Sequence, residues 1–216
     1  MNDGRWRRAP ALLVGALVAA IILTGCGGPQ VSTQEPSAGE GSFAEAREVN
    51  LEFKAAVAEV QKQIFDGEWV VSEYGDAARR CDQGYEFFLR RNLPDGFSFD
   101  GQGPQRMDEL RTWLSNNGWQ LAPTPTYGEG IDNVVIVAGK PGAKVSRLDV
   151  DMIPGVAAEG TIDVLELRAT STCEPGDAHA LFEQVRGPFS TVPREAVTPS
   201  LESPDATPLF EPFEEG

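Results

Sequence analysis

Three cysteines and a few charged pairs are the residues of this chain whose types and spacing could do chemistry. Cys26 closes Leu23-Thr24-Gly25-Cys26, a small-residue cleavage site directly after the apolar run Ala9–Leu23, which follows a leader carrying Arg5, Arg7 and Arg8. Residues 1–25 therefore read as a secretory signal peptide, and the first mature residue is a thiol. The run is too short for a membrane span, which takes roughly twenty apolar residues. Cys81 and Cys173 remain. In an exported chain such a pair forms a disulfide, closing a long loop worth ~4–5 kcal/mol on the chain-entropy model. The alternative is a catalytic thiol served by His179, the single histidine.

Carboxylates and arginines offer the other chemistry. Asp149 and Asp151 alternate along a predicted strand, which sets them on one sheet face about 7 Å apart, a spacing suited to acid–base work or a metal. The enzyme reading that follows is an envelope hydrolase. Against it, Arg147 and, if the strands pair, Arg168 share that face, as on any solvated antiparallel sheet. Arg90-Arg91 and Arg79-Arg80 are local basic clusters that could hold a phosphate or an anionic glycan. Gly101-Gln102-Gly103 and Gly128-Glu129-Gly130 have no following lysine and are not phosphate loops. No serine sits in a Gly-x-Ser-x-Gly elbow. One histidine is a poor supply for a zinc site. The expectation is no cofactor, no metal and no catalytic constellation.

The tetrapeptide ending in Cys26 resembles the lipobox of bacterial lipoproteins. That resemblance implies a diacylglyceryl group on the cysteine sulfur, a cut before Cys26, and a mature chain held on the extracytoplasmic face of the cell membrane. Two acyl chains make such anchoring stable, at ~0.8 kcal/mol per buried methylene.

The net charge of −15 argues against a nucleic-acid partner, which requires a basic face, and against adhesion to anionic headgroups. Residues 26–41 are rich in Gly, Pro, Ser, Gln and Glu and read as a lipidated N-terminus and flexible stalk. Residues 187–216 hold Pro188, Pro193, Pro199, Pro204, Pro208 and Pro212 among acids and read as a disordered acidic tail, in which Phe210 and Phe213 could dock on something although sparse aromatics in such tails are more often idle. Residues 42–186 have the length of one domain.

The elements that must position these residues follow from periodicity. Ser42 and Glu45 form a capping box ahead of Ala46, Val49, Phe53, Val57, Val60 and Ile64, one apolar helical stripe. Strands are expected at Trp69–Tyr74 and Tyr85–Leu89. Pro94-Asp95-Gly96 is a turn, with Phe97–Phe99 as a return strand. A second helix carries Met107, Leu110, Trp113 and Leu114 and stops at Gly118. Trp119–Leu121 begins another strand. Asn133–Ala138, apolar on both faces, reads as a central strand. Leu148, Val150 and Met152 point inward from the next strand, and Leu165, Leu167 and Ala169 from the last, with Cys173 sharing that inward parity. A short helix capped by Asp177 follows. The fold class is α+β: a two-layer sandwich with two main helices on one face of a mostly antiparallel sheet, in a single domain.

The order of a capped helix, a Trp69 strand ending Tyr74-Gly75-Asp76, Cys81, the run Arg90-Arg91-Asn92-Leu93-Pro94-Asp95-Gly96-Phe97-Ser98-Phe99, a helix and a late strand ending at Cys173 resembles the LppA-type lipoproteins of mycobacteria and related actinobacteria. The resemblance implies a lipid-anchored envelope protein with Cys81 and Cys173 paired, and it supplies no catalytic residues. The expected activity is that of a non-enzymatic binding or accessory module for an envelope protein or small ligand. The loop Leu121–Gly130 precedes a core strand, where binding residues commonly sit. Trp119, Tyr127, Arg90 and Arg91 are the expected ligand-facing residues.

Overall fold

A computed structural model describes residues 40–82, 84–123, 133–156, 159–187 and 198–213. The expected signal peptide, Cys26, most of the stalk and Tyr127 lie outside the described residues.

Helix α1 (Glu40–Ile64) buries the whole predicted stripe, from Ala46 to Ile64. It begins two residues before Ser42, so that serine lies inside the helix and not at its cap. The polypeptide then forms β1 (Trp69–Glu73), β2 (Arg79–Cys81), β3 (Gly84–Glu86), β4 (Phe88–Asn92), α2 (Gly103–Asn116), β5 (Gln120–Leu121), β6 (Val134–Lys140), β7 (Val145–Ile153), β8 (Val164–Ser171), β9 (Glu174–Pro175), α3 (Ala178–Arg186) and β10 (Leu201–Glu202).

Seven strands make one sheet in the order β10-β1-β4-β8-β7-β6-β5, and β2-β3-β9 make a second, small one. Every pairing is antiparallel. The architecture is an α+β sandwich, with α1 and α2 on the inner face of the large sheet. Register explains the core. Leu89, Ala169, Leu148 and Ala138 stand side by side across β4, β8, β7 and β6, and all are buried. Full burial of each leucine in that row stabilises by roughly 1.5–3 kcal/mol, and of each alanine methyl by roughly 0.8 kcal/mol. The outward positions Arg147, Asp149, Glu166 and Arg168 remain polar, as period-two alternation requires.

Four further expectations change. The single strand read over Tyr85–Leu89 is two strands in different sheets, and the break falls at Phe87, whose N–H donates to Ser171 Oγ at 2.8 Å. Phe97–Phe99 is not a strand. Asp163 satisfies that backbone instead, Oδ2 accepting from Phe99 N at 2.6 Å, so no neighbouring strand is needed. β6 is next to the sheet edge, with only the short β5 outside it; the centre of the sheet is β8.

The fourth change is the largest. Residues 198–213 are not a disordered tail. They form a strap in which β10 pairs with the β1 edge, Trp69 opposite Glu202 and Val70 opposite Leu201. Phe210 is 1% exposed, stacked 5.3 Å from Phe43 and edge-on 5.5 Å from Phe87. Proline and acid content gave the segment a disordered composition, but one buried aromatic and one partly buried carboxylate, 13% exposed, anchor it to the domain.

Candidate functional site

The expected ligand-facing residues do not converge. Arg90 and Arg91 are consecutive on β4 and therefore point to opposite faces. Arg90 lies on the outer face and pairs with Glu166, which Arg168 also engages, Nε to Oε1 at 3.1 Å. Arg91 turns inward and is 2% exposed. Trp119 is 5% exposed, packed in the core with Lys140 Nζ 5.8 Å from its ring centroid. Asp149 and Asp151 do share the outer face, but Arg147 takes both Asp149 oxygens, Nε and Nη2 each at 2.7 Å. That bidentate clamp makes Asp149 half of an ion pair on a charged sheet surface. Among the described residues no group of three or more His, Cys, Asp or Glu side chains is placed to hold a metal, and no helix is long and apolar enough to cross a membrane.

Cys81 and Cys173 form a disulfide with 6.0 Å between the Cα atoms. Both sulfurs are in the bond, so the thiol–His179 nucleophile is set aside. The bond is also not where strand parity put it. β8 ends at Ser171, alternation ends with it, and Cys173 is exposed. The bridge ties β2 to the entry of β9 across β3. Gly84 makes the close pairing of β3 and β9 possible, since a Cβ there would sit 1.9 Å from the Glu174 carbonyl oxygen. Lys144 at 3.0 Å and the Thr172 hydroxyl at 2.6 Å hold Glu174. The Thr172 bond, then the Lys144 bond and charge, lower its carboxyl pKa.

Beside this bridge lies a groove of about 610 Å³ between the β2–β3 hairpin and the first turn of α3, lined by Arg80, Cys81, Asp82, Asp177, His179 and Phe182 among others. Asp177 caps α3, its Oδ1 accepting from the N–H groups of His179 and Ala180 at 2.9 and 3.3 Å. That is the cap expected of an aspartate before a helix. The groove offers both charges and an aromatic wall, which suits binding of a polar ligand.

A second constellation was missed in the sequence. Asn50, Lys54 and Gln61 lie along α1 beside its apolar stripe and are buried with it. Lys54 Nζ sits 3.3 Å from the Tyr74 ring centroid and has no hydrogen-bond partner among the described residues. Burial pulls its pKa down to about 7, against the raising pull of Glu202 and Asp76. Around it stand Arg91, Arg186 with Asp76, and Glu202 from the strap. Tyr74 Oη accepts from Leu209 N at 2.8 Å, and burial raises the phenol pKa to about 12. The available signal was three polar residues at helical spacing next to a core stripe, a pattern that only tertiary burial distinguishes from a solvated face.

Comparisons with family models, curated proteins and solved structures return no match to this chain.

Proposed function

We propose that this chain is a lipoprotein anchored through Cys26 to the extracytoplasmic face of a bacterial cell membrane, where its domain serves as a non-enzymatic binding module. The observation that carries the reading is the solvent-exposed Cys81–Cys173 bridge. A chain bearing an exposed disulfide belongs in an oxidising compartment, which is where a leader ending Leu23-Thr24-Gly25-Cys26 sends it. The groove beside the bridge supplies a binding surface, and the order of motifs that resembles the LppA-type lipoproteins agrees with an envelope location. The hydrolase alternative draws no support from Asp149, which Arg147 occupies.

The experiment is mass spectrometry of the protein from an actinobacterial membrane fraction, beside a Cys26→Ser variant. The expected result is a mature chain starting at a diacylated Cys26, and loss of membrane retention in the variant. An intact Met1 or an unmodified Cys26 refutes the anchor. Cross-linking of Phe182 variants carrying a photoreactive side chain then tests the groove, and the absence of any adduct in the envelope refutes the binding role.

A further inference from the structure

Residues 198–213 lie on the domain as a bound peptide lies on a receptor. The β1 edge supplies backbone pairing: Val71 N donates to Ser200 O at 2.9 Å, and Leu201 and Glu202 pair with Val70 and Trp69. Past that point side chains of the domain supply most of the contacts. Glu202 Oε2 accepts from Arg91 Nη2 at 2.5 Å, and Asp205 meets Lys62 at 2.8 Å. Arg47 holds the Phe210 carbonyl at 3.2 Å and Glu211 at 3.0 Å. Phe213 N donates to Gln184 O at 2.6 Å.

Strand addition with side-chain pockets is a recurring mode of peptide recognition, in which the edge gives affinity and the pockets give specificity. Here the pockets are a cationic one for a carboxylate and an aromatic one, between Phe43 and Phe87, for the ring eight positions later. The charge asymmetry is local. The chain carries −15 overall, yet the strap's acids meet Arg47, Lys62 and Arg91. Without Glu202, the two guanidinium groups Arg91 and Arg186 would face Asp76 as the one acid of this buried cluster. The surface beneath the strap is therefore complementary to an acidic segment from whatever source.

We propose that this surface is a recognition groove for an extended acidic segment with an aromatic residue eight positions after a glutamate, occupied in cis by residues 198–213, and that a partner protein displaying such a segment docks by exchange with the strap. The proposal does not depend on the lipid anchor.

The probe is a fluorescent synthetic peptide of residues 198–213, titrated against the full chain and against a full-chain E202Q/F210A variant. The cis occupant competes at high effective concentration, so wild type should bind weakly. The variant should bind at least tenfold more tightly, and a peptide carrying the same two changes should bind neither. A folded variant that gains less than tenfold overturns the proposal. If the variant does not fold, amide exchange on the wild-type chain decides. Protection at Val71, Leu209 and Phe213 at least 100-fold below that of the β7–β8 amides supports an exchangeable strap. Equal protection, meaning that the strap opens only with the whole domain, overturns it.

Discussion

Arg91 and Glu202 are 111 positions apart in sequence and 2.5 Å apart in space. The arginine stands in the row of Leu167 and Val150 on the inner face of the sheet, an apolar row in which an uncompensated charge would be costly. Its Nη1 donates to Glu73 O at 2.6 Å and Arg90 O at 3.2 Å, and its Nη2 to Tyr74 O at 3.2 Å as well as to Glu202. Three carbonyls position the guanidinium, and the strap supplies its countercharge.

Removing one member of that pair should therefore cost more than removing both. Glu202→Leu leaves a guanidinium without its carboxylate, and Arg91→Met leaves a largely buried carboxylate without its guanidinium. Each should lose about 3 kcal/mol. The double variant should recover at least half of the summed loss, read as a coupling energy in a urea-unfolding cycle. Simple additivity would mean that the ion pair contributes nothing specific.

Lys54 predicts an alkaline rise in stability. Its folded pKa is about 7 against 10.5 for the free side chain, because burial disfavours the ammonium. Below pH 7 both states carry the proton and the burial cost is fully present. Between pH 7 and 10.5 only the unfolded state binds the proton, so stability increases with pH, in total on the order of 5 kcal/mol. Above pH 10 the sign reverses through Tyr74 and Tyr85, which burial raises to about 12 in the fold. Their unfolded phenols ionise first, and the stability they contribute is lost as pH climbs toward 12. Chemical denaturation from pH 6 to 11 should show a maximum near pH 10, and Lys54→Met should flatten the rise between pH 7 and 10.

Asp163 is a buried acid that holds two loops. Its Oδ2 accepts from Phe99 N at 2.6 Å and Ser98 Oγ at 3.3 Å, and its Oδ1 from Gly155 N at 2.9 Å. Asp163→Ala strands two backbone donors and should cost about 2–4 kcal/mol. Asp163→Asn keeps one acceptor and should cost about half as much. Thermal unfolding of the two variants checks the order, and equal losses would show that the charge and not the acceptor count matters.

The elements that were legible in the sequence are those whose apolar period is local. The α1 stripe, the inward residues of β7 and β8, and the Asp177 cap each follow from neighbours within one turn or one strand. What was not legible depends on partners far along the chain. Phe97–Phe99 has a strand's composition, but Asp163 satisfies its backbone. Arg90 and Arg91 read as one basic cluster, but the pleat separates them and Glu202 claims the second. Phe210 sits among prolines and acids that signal disorder, and its pocket is made by Phe43 and Phe87, which the local pattern around it does not contain. Cys173 follows inward parity only until β8 ends two residues earlier.

The position of the disulfide makes its removal separable from disruption of the core. The Cys81–Cys173 bond closes a sequence separation of 92 residues, for which loop-closure entropy gives a stabilisation of about 4–5 kcal/mol. The bridge joins the small sheet at the surface, whereas the rows built on Leu148, Leu167 and Val150 lie elsewhere. Cys81→Ser/Cys173→Ser should therefore unfold at lower denaturant while retaining the cooperative slope of the parent. Amide protection should fall most in β2, β3 and β9, and the first turn of α3 should loosen with them because it walls the same groove. A double variant with unchanged stability would show that the native contacts of β3 with β2 and β9 already restrict the chain as much as the covalent bond does. Loss of protection spread evenly over β7 and β8 would show instead that the small sheet and the large one fold as a single unit.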